Sequence, residues 1–418
     1  MKNIKPLLKL DYNSIKFQKD PFRYYRIMQE RYPLYFHEST QMYILTRYDD
    51  VELALKDPLF STEDYSRKCG HMLKLLLLQM EGKKHTTYTR IISPSLHGKE
   101  MMEFVVPVII KNVQALIETL INKCEFDFVG DFATQLPINV FAEITGLDKR
   151  DQLLFKKWSR IIVKNMRNYS DNPEIREEGI NMVIEARRYL FPLIEHYRIN
   201  PVKGLLSTLC LAEVDGVKMQ NEDIFSYFLV LLTAGIDTIE KTLISLLRNL
   251  IAHPTELALV RNNRNLVNNA IAETLRLSSP SQVVQRRTVE DYSIAGGVIP
   301  AHSAVLCIMA AANRDRSKFS SPDMFDISRP DLDVDKAFKG NANHLSFGAG
   351  RHFCLGALLA KTEVNIATNI LLDHFADIKF LNNQIPEEIG FNTRTSRRMD
   401  VVTSSPIKNV LPYTTWNH

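Results

Sequence analysis

The stretch His344-Leu-Ser-Phe347-Gly348-Ala-Gly350-Arg351-His352-Phe353-Cys354-Leu-Gly356 holds the residues best placed to do chemistry. A helical pattern from about Leu355 to Leu372 follows it, so Cys354 falls at a helix N-terminus, where backbone N–H groups and the helix dipole favour a thiolate. Glycines on both sides let the backbone approach the sulfur or a flat ligand closely. The combination suits a thiolate metal ligand, against the blander alternative of a buried, inert cysteine. Phe, two Gly, a basic residue, Cys and Gly at these offsets should arise by chance in on the order of one chain in 10⁵ at average residue usage.

A second set of reactive residues lies in an apolar run. The pattern from Asn221 to His253 predicts one long helix, with Asn221 as N-cap, Glu222 and Asp223 complementing the dipole and Pro254 as terminator. Its middle, Phe228 to Ile236, is apolar on nearly every side, which only a helix through the centre of a large protein tolerates. Gly235, Asp237 and Thr238 follow directly. A glycine there costs about 1 kcal/mol against alanine, and a carboxylate entering an apolar run costs more unless something solvates it. A helix loosened at Gly235 would admit ordered water beside a carboxylate and a hydroxyl. Glu273 and Arg276 stand three apart on one helix face, but Glu185–Arg188 and Glu195–Arg198 share that spacing, which by itself marks only a solvated surface pair.

These residues need a large framework. The 418 residues are 45% hydrophobic and 24% charged, enough for a sizeable core and too apolar for a disordered chain. Gly 16 and Pro 18 make 34, about 8% against roughly 12% in average proteins, which favours long helices over a turn-rich all-β fold. A net charge of only +4 argues against nucleic acid or an anionic membrane as the main partner. No signal-peptide pattern or apolar run of about 18 residues stands out, which points to a cytoplasmic chain without a membrane span. Cys69, Cys124, Cys210, Cys307 and Cys354 are odd in number and lack close pair spacing, against a disulfide framework or zinc knuckle. Leu34–Phe36 and Met42–Thr46 read as a hairpin, Val51, Ala54 and Leu55 as a helix stopped by Pro58, residues 99–199 as helical, and 280–310 as a second small sheet. No linker, charge block or repeat divides the chain, so one domain is expected over 1–418, with an N-terminal extension to about 20 and a tail from about 405.

Phe347-Gly-Ala-Gly350-Arg-His352-Phe-Cys354-Leu-Gly356 resembles the haem-binding loop of the cytochrome P450 family in its soluble bacterial form. Further matches are Thr46-Arg-Tyr-Asp-Asp-Val51, Ala234-Gly-Ile-Asp-Thr238, Glu273-Thr-Leu-Arg276, and Ala312-Asn-Arg-Asp315 through Arg329-Pro330, so the likeness covers roughly residues 20–405. The resemblance implies a mainly α fold with small segregated β-sheets, its long central helix crossing the core beside a haem b whose iron takes Cys354 as axial ligand. Phe347, Gly348, Gly356 and Ala234 would border that haem. His85, Arg286 and His352 would meet its propionates. The family usually places an arginine four after that first histidine, where this chain has Thr89, so Arg90 is the candidate one step further round the helix. The usual Asp-Pro-Pro is also replaced, by Glu81-Gly-Lys-Lys84. Asp237 and Thr238 match the family's proton-delivering acid–alcohol pair, and Glu273, Arg276 and Arg329 its buried structural triad.

The implied activity is haem-thiolate oxygen activation, the axial thiolate favouring O–O cleavage, to hydroxylate or epoxidise a lipophilic small molecule in natural-product metabolism. Other haem-thiolate chemistry (peroxide use, aryl coupling, nitration) and a catalytically silent haem protein that recruits a partner are the alternatives. Substrate contacts are expected from Met72–Met80, from helices around Ile161–Ile194 and from the face before Ala234. With no reductase domain in view, electrons are expected from a ferredoxin and its reductase, docking on a basic patch of Arg351, Lys361, Lys83, Lys84 and Arg90, and the enzyme is expected to be a monomer.

Overall fold

A computed structural model of the chain describes residues 10–62, 70, 77–168 and 171–403. Most of Met72–Met80 lies outside them, although Leu77–Gln79 forms a 3-10 turn and Met80 is buried. The hairpin is present as strands β1 (Leu34–His37) and β2 (Met42–Leu45), and Tyr48–Lys56 forms the helix that Pro58 ends. Leu10, Tyr12 and Phe17 are buried, and Tyr12 stacks on Phe391 at 4.2 Å, so residues 10–20 are tied to the body of the protein.

The second small sheet expected over 280–310 forms in part: its outer strands belong to a larger sheet with the N-terminal hairpin. Strand β3 (Phe60–Ser61), β4 (Val284–Thr288) and β5 (Ala304–Cys307) join the hairpin in one sheet of order β1-β2-β5-β4-β3. The joint is the parallel pairing of Leu306 with Ile44 in β5 and β2, a contact far apart in sequence that local pattern does not signal. Only Tyr292–Ile294 and Gly297–Ile299 form a small hairpin of their own.

The helical reading of 99–199 holds for α2 (Gln135–Thr145), α3 (Gln152–Met166) and Pro173–Ile199, but Glu125–Asp127 is a strand paired with Asp400–Thr403. Phe126 is buried between an exposed and a half-buried neighbour, the two-residue period of an edge sheet. One large cluster of buried apolar residues draws mainly on the long helices, and two smaller ones draw on the five-stranded sheet and the short helices beside it.

The central helix α4 (Asn221–Ala252) is continuous, with Phe228, Leu229, Leu232, Ile236, Leu243 and Leu246 buried along it. Its N-cap is Gln220 rather than Asn221, whose side-chain oxygen instead accepts from Arg198 Nε at 3.0 Å. Gly235 does not loosen it: a Cβ there would meet the Phe141 ring of α2 at 3.5 Å, an ordinary contact. Helices α5 (Val267–Leu277) and α6 (Ala357–His374) pack against α4, and α1 (Gly82–Leu96) lies toward the haem-loop residues through Glu81 at its N-cap. Among the described residues no helix is long and apolar enough to cross a membrane.

Helix α6 carries a fully buried carboxyl, Glu363, whose Oε1 has no hydrogen-bond partner among the described residues. Burial pushes it up to about 8 from 4.5. The protonated form is therefore favoured on folding, and the stability this group contributes falls as pH rises from about 4.5 through about 8. Glu363→Gln is expected to stabilise the protein by about 3 kcal/mol at pH 7–8, a gain that fades toward pH 4.5. Thermal unfolding of both proteins across that range checks it, and a pH-independent difference would contradict it.

Candidate haem-thiolate site

The Cys354 loop owes its shape to two glycines. Gly348 has φ +71° and Gly350 φ +69°, and a Cβ on Gly350 would lie 3.0 Å from Leu55 O and Lys56 Cα, so only glycine fits against the helix Tyr48–Lys56. The Cys354 N–H donates to Phe347 O at 2.8 Å and the Phe353 N–H to Gly350 O at 3.1 Å, closing the turn around the sulfur. Helix α6 starts at Ala357 with Gly356 as N-cap, so Cys354 stands two residues ahead of the cap. The Gly356 N–H lowers the thiol's affinity for its proton, but burial outweighs it and pushes Cys354 up to about 11.

Cys354 is exposed, although Leu345, Ser346 and Ala349 of the same loop are buried. Ala234 behaves alike: it is exposed although Leu232, Thr233 and Ile236 around it on α4 are buried. Phe347 and Gly348 are half-buried, and a Cβ on Gly356 would meet nothing within 4 Å.

Three groups that can carry positive charge gather beside the loop. Arg286 on β4 is buried, and among the described residues its guanidinium hydrogen-bonds only the Gln285 carbonyl, at 2.9 Å. The His352 ring packs edge-on against His85 of α1 with centroids 4.8 Å apart. Burial first, then the Arg286 cation, push His352 down to about 4 against the pull of Glu81, and His85 is lowered by burial as well. Among the described residues Glu81 is the one carboxylate in contact, 2.7 Å from Arg351 Nε and 3.4 Å from His352 Nε2. A buried guanidinium without a carboxylate of its own calls for an anion. An exposed cysteine, small residues in its loop and on α4, and a buried guanidinium beside two imidazoles that can donate hydrogen bonds together fit a haem with its two propionates.

Arg90 is not brought to the cluster. It is exposed on α1, while Thr89, at the position where the arginine is usual, donates its hydroxyl to His85 O at 3.0 Å. The predicted basic patch is partly neutralised: Lys83 pairs with Asp215 at 3.1 Å and Arg351 with Glu81, and Lys361 is half-buried near the Phe338 ring.

On α4 the Thr238 hydroxyl donates to Ala234 O at 2.7 Å, and the Asp237 carboxylate accepts from Lys241 Nζ one turn on. Lys241 was legible as an i,i+4 partner of Asp237 on a predicted helix but carried no chemistry in the sequence reading. Glu81 had no such signal, because its partners Arg351 and His352 lie some 270 residues away.

Glu273, Arg276 and Arg329 come together in the interior. Arg276 grips Glu273 with Nε at 2.7 Å and Nη2 at 2.8 Å, and Arg329 Nε lies 3.0 Å from Glu273 Oε2, close enough for an ion pair without hydrogen-bond alignment. Arg276 also donates to Asn313 O, Pro322 O and Met324 O, binding α5 to the 313–324 segment.

Comparison with known proteins agrees with this arrangement. A sequence profile described as Cytochrome P450 matches residues 7–389. Pulcherriminic acid synthase of Bacillus subtilis (strain 168) is 34% identical over 91% of this chain and 94% of its own, and Cytochrome P450 109 of Bacillus spizizenii 32% over 90% and 89%. The crystal structure of P450BioI in complex with hexadec-9Z-enoic acid ligated acyl carrier protein superposes with TM-score 0.83 at 27% identity, covering 93% of this chain and 99% of that one. CYP109E1 from Bacillus megaterium in complex with testosterone does so with TM-score 0.82 at 25% identity, covering 93% and 99%. The chain belongs to the cytochrome P450 family of monooxygenases.

Proposed function

We propose that this chain holds haem b through Cys354 and inserts oxygen from O2 into a lipophilic small molecule of secondary metabolism, by hydroxylation or epoxidation. The observation that carries the reading is the exposed Cys354 in its glycine-shaped loop beside the buried Arg286 and the half-buried His352–His85 pair. Haem held by a thiolate would supply oxygen activation, in which O2, two electrons and two protons give one oxygen atom to the substrate and one to water.

The protein's residues do the rest. Cys354 donates its sulfur. Phe347, Gly348 and Gly356 leave room for the ring on the sulfur side, and Ala234, the smallest side chain that keeps α4 helical, leaves it on the other. His352, His85 and Arg286 receive the propionates, with Arg90 turned to solvent. Thr238 holds water and Asp237 passes protons toward it from the interior of α4. Glu273, Arg276 and Arg329 fix the scaffold. The chain acts as one domain over 1–418, as a cytoplasmic monomer.

The lipophilic substrate is supported by the neighbours' ligands, a testosterone in one and an acyl-carrier-bound hexadecenoic acid in another, and a place in secondary metabolism by the relative named pulcherriminic acid synthase. Haem-reconstituted protein supplied with a ferredoxin, its reductase, NADPH and ¹⁸O₂ tests it across steroids, fatty acids and cyclic natural products. A product heavier by one ¹⁸O atom supports it; turnover products without ¹⁸O contradict it.

Electrons arrive from a small acidic ferredoxin docking on the side of Cys354, where among the described residues Lys84, Arg90 and Lys361 lack the carboxylate partners that Lys83 and Arg351 have. The reduction rate is expected to fall several-fold between low salt and about 0.5 M, as steered association does. A rate indifferent to ionic strength contradicts electrostatic docking.

A further inference from the structure

We propose that Lys241 is a positioning residue for Asp237, holding the acid of the acid–alcohol pair in one orientation on the central helix. The inference rests on the proton-delivery reading of Asp237 and Thr238 and goes beyond it by naming what sets the acid's geometry. Lys241 is buried, with 11% of its side chain exposed, and a buried ammonium needs a partner. It has one: Nζ donates to the Asp237 carboxylate and lies 3.3 Å from the Asp237 carbonyl oxygen. An acid four residues before a lysine is the favourable order on a helix.

The surroundings leave Asp237 as that partner. Glu240, the other acid of this turn, accepts from the Thr134 hydroxyl at 2.6 Å. On the α3 side Lys156 and Arg160 bring like charge, and Lys156 is itself lowered first by burial and also by Lys241. The lysine thus has a carboxylate on its own helix and cations on the helix packed against it.

The orientation follows from two hydrogen bonds that run in opposite directions along α4. Thr238 donates one turn back, to Ala234 O at 2.7 Å, while Asp237 is held one turn forward, by Lys241. Acid and alcohol are neighbours in sequence but are drawn toward opposite ends of the helix. Lys241 therefore keeps Asp237 extended away from Thr238, and proton delivery to the Thr238 side starts from that fixed position.

The test separates this inference from the reading it rests on. Lys241→Met is expected to lower the fraction of electrons recovered in product about tenfold, with haem content and substrate-binding midpoint within about twofold of the parent. Lys241→Arg keeps the charge and is expected to recover most of the coupling. On an Asp237→Asn background Lys241→Met should add nothing, because it acts through Asp237. A readout without turnover is the Asp237 carboxylate stretch, isolated by infrared difference against Asp237→Asn: it should shift in Lys241→Met and stay in Lys241→Arg. Should Lys241→Met fail to retain haem, Lys241→Gln, isosteric over most of the chain and uncharged, carries the same expectations. Unchanged coupling and an unchanged carboxylate band in the uncharged variants, while Asp237→Asn is uncoupled, overturn the role of Lys241 alone. Normal coupling in Asp237→Asn overturns the proton-delivery reading, and the infrared shift then still decides whether the pair exists.

Discussion

Replacing Glu273 by alanine is expected to cost about 3–5 kcal/mol of folding stability, the range for removing one partner of a buried ion pair. The case is severe because one carboxylate serves two cations. Arg276 and Glu273 have no side-chain exposure and Arg329 has 3%, so the substitution takes a carboxylate from two guanidinium groups where water cannot reach. It also removes the acceptor for the Asp326 N–H, which reaches Glu273 Oε1 at 3.1 Å. Arg329 keeps a second acid, Asp331 at 2.7 Å, whereas Arg276 is left with carbonyl oxygens alone among the described residues. At roughly 2 °C per kcal/mol for a chain of this size, the unfolding midpoint should drop by about 6–10 °C, and haem occupancy should fall with it. Glu273→Asp, shorter by one methylene, should fall between. Circular dichroism melting of the purified variants is the measurement, and an alanine variant that melts with the parent would show that the triad contributes no net stability.

Replacing Thr238 by alanine is expected to divert electrons from product to hydrogen peroxide by tenfold or more, within the span of a lost proton-transfer group. The hydroxyl proton is engaged with Ala234 O at 2.7 Å, which leaves the oxygen lone pairs to accept from a water. Alanine removes that acceptor without disturbing the helix, since it is the better helix former. Without a held water, O2 plus two electrons and two protons leaves as H2O2, and no oxygen reaches the substrate. Haem binding and the carbon monoxide complex should be unaffected, and Thr238→Ser should keep most of the coupling. Peroxide and product are counted against NADPH consumed; an alanine variant as well coupled as the parent removes Thr238 from proton delivery.

The parts of this arrangement that local chemistry dictates were readable from the residues. The Cys354 loop announces itself because its glycines sit at offsets the backbone requires: φ is positive at Gly348 and Gly350, and Gly350 abuts another helix. The extent of the central helix was within a residue of that observed, since its caps and apolar run are local signals. What local pattern cannot carry is pairing across distance. β5 reads as part of a second sheet until Leu306 is set beside Ile44, which joins it to the hairpin and leaves only Tyr292–Ile294 and Gly297–Ile299 as a sheet of their own. Likewise Glu81 appears as part of an irregular helix entry, although its carboxylate reaches both Arg351 and His352. The strand Glu125–Asp127 is too short to register as a period of two and exists because Asp400–Thr403 offers a ladder. Arg90 shows the limit of reasoning from position: one residue beyond Thr89 turns its side chain about 100° round the helix, and it is exposed.

Ligation of iron by Cys354 is tested most directly by the absorption spectrum of the haem-reconstituted, dithionite-reduced protein under carbon monoxide, recorded beside Cys354→Ser. A strongly red-shifted Soret band in the parent, absent from the serine variant, is the predicted result, because only a thiolate trans to carbon monoxide perturbs the porphyrin in that way. A parent whose band stays at the position given by a nitrogen or oxygen ligand, or a serine variant that keeps the red-shifted band, would contradict it.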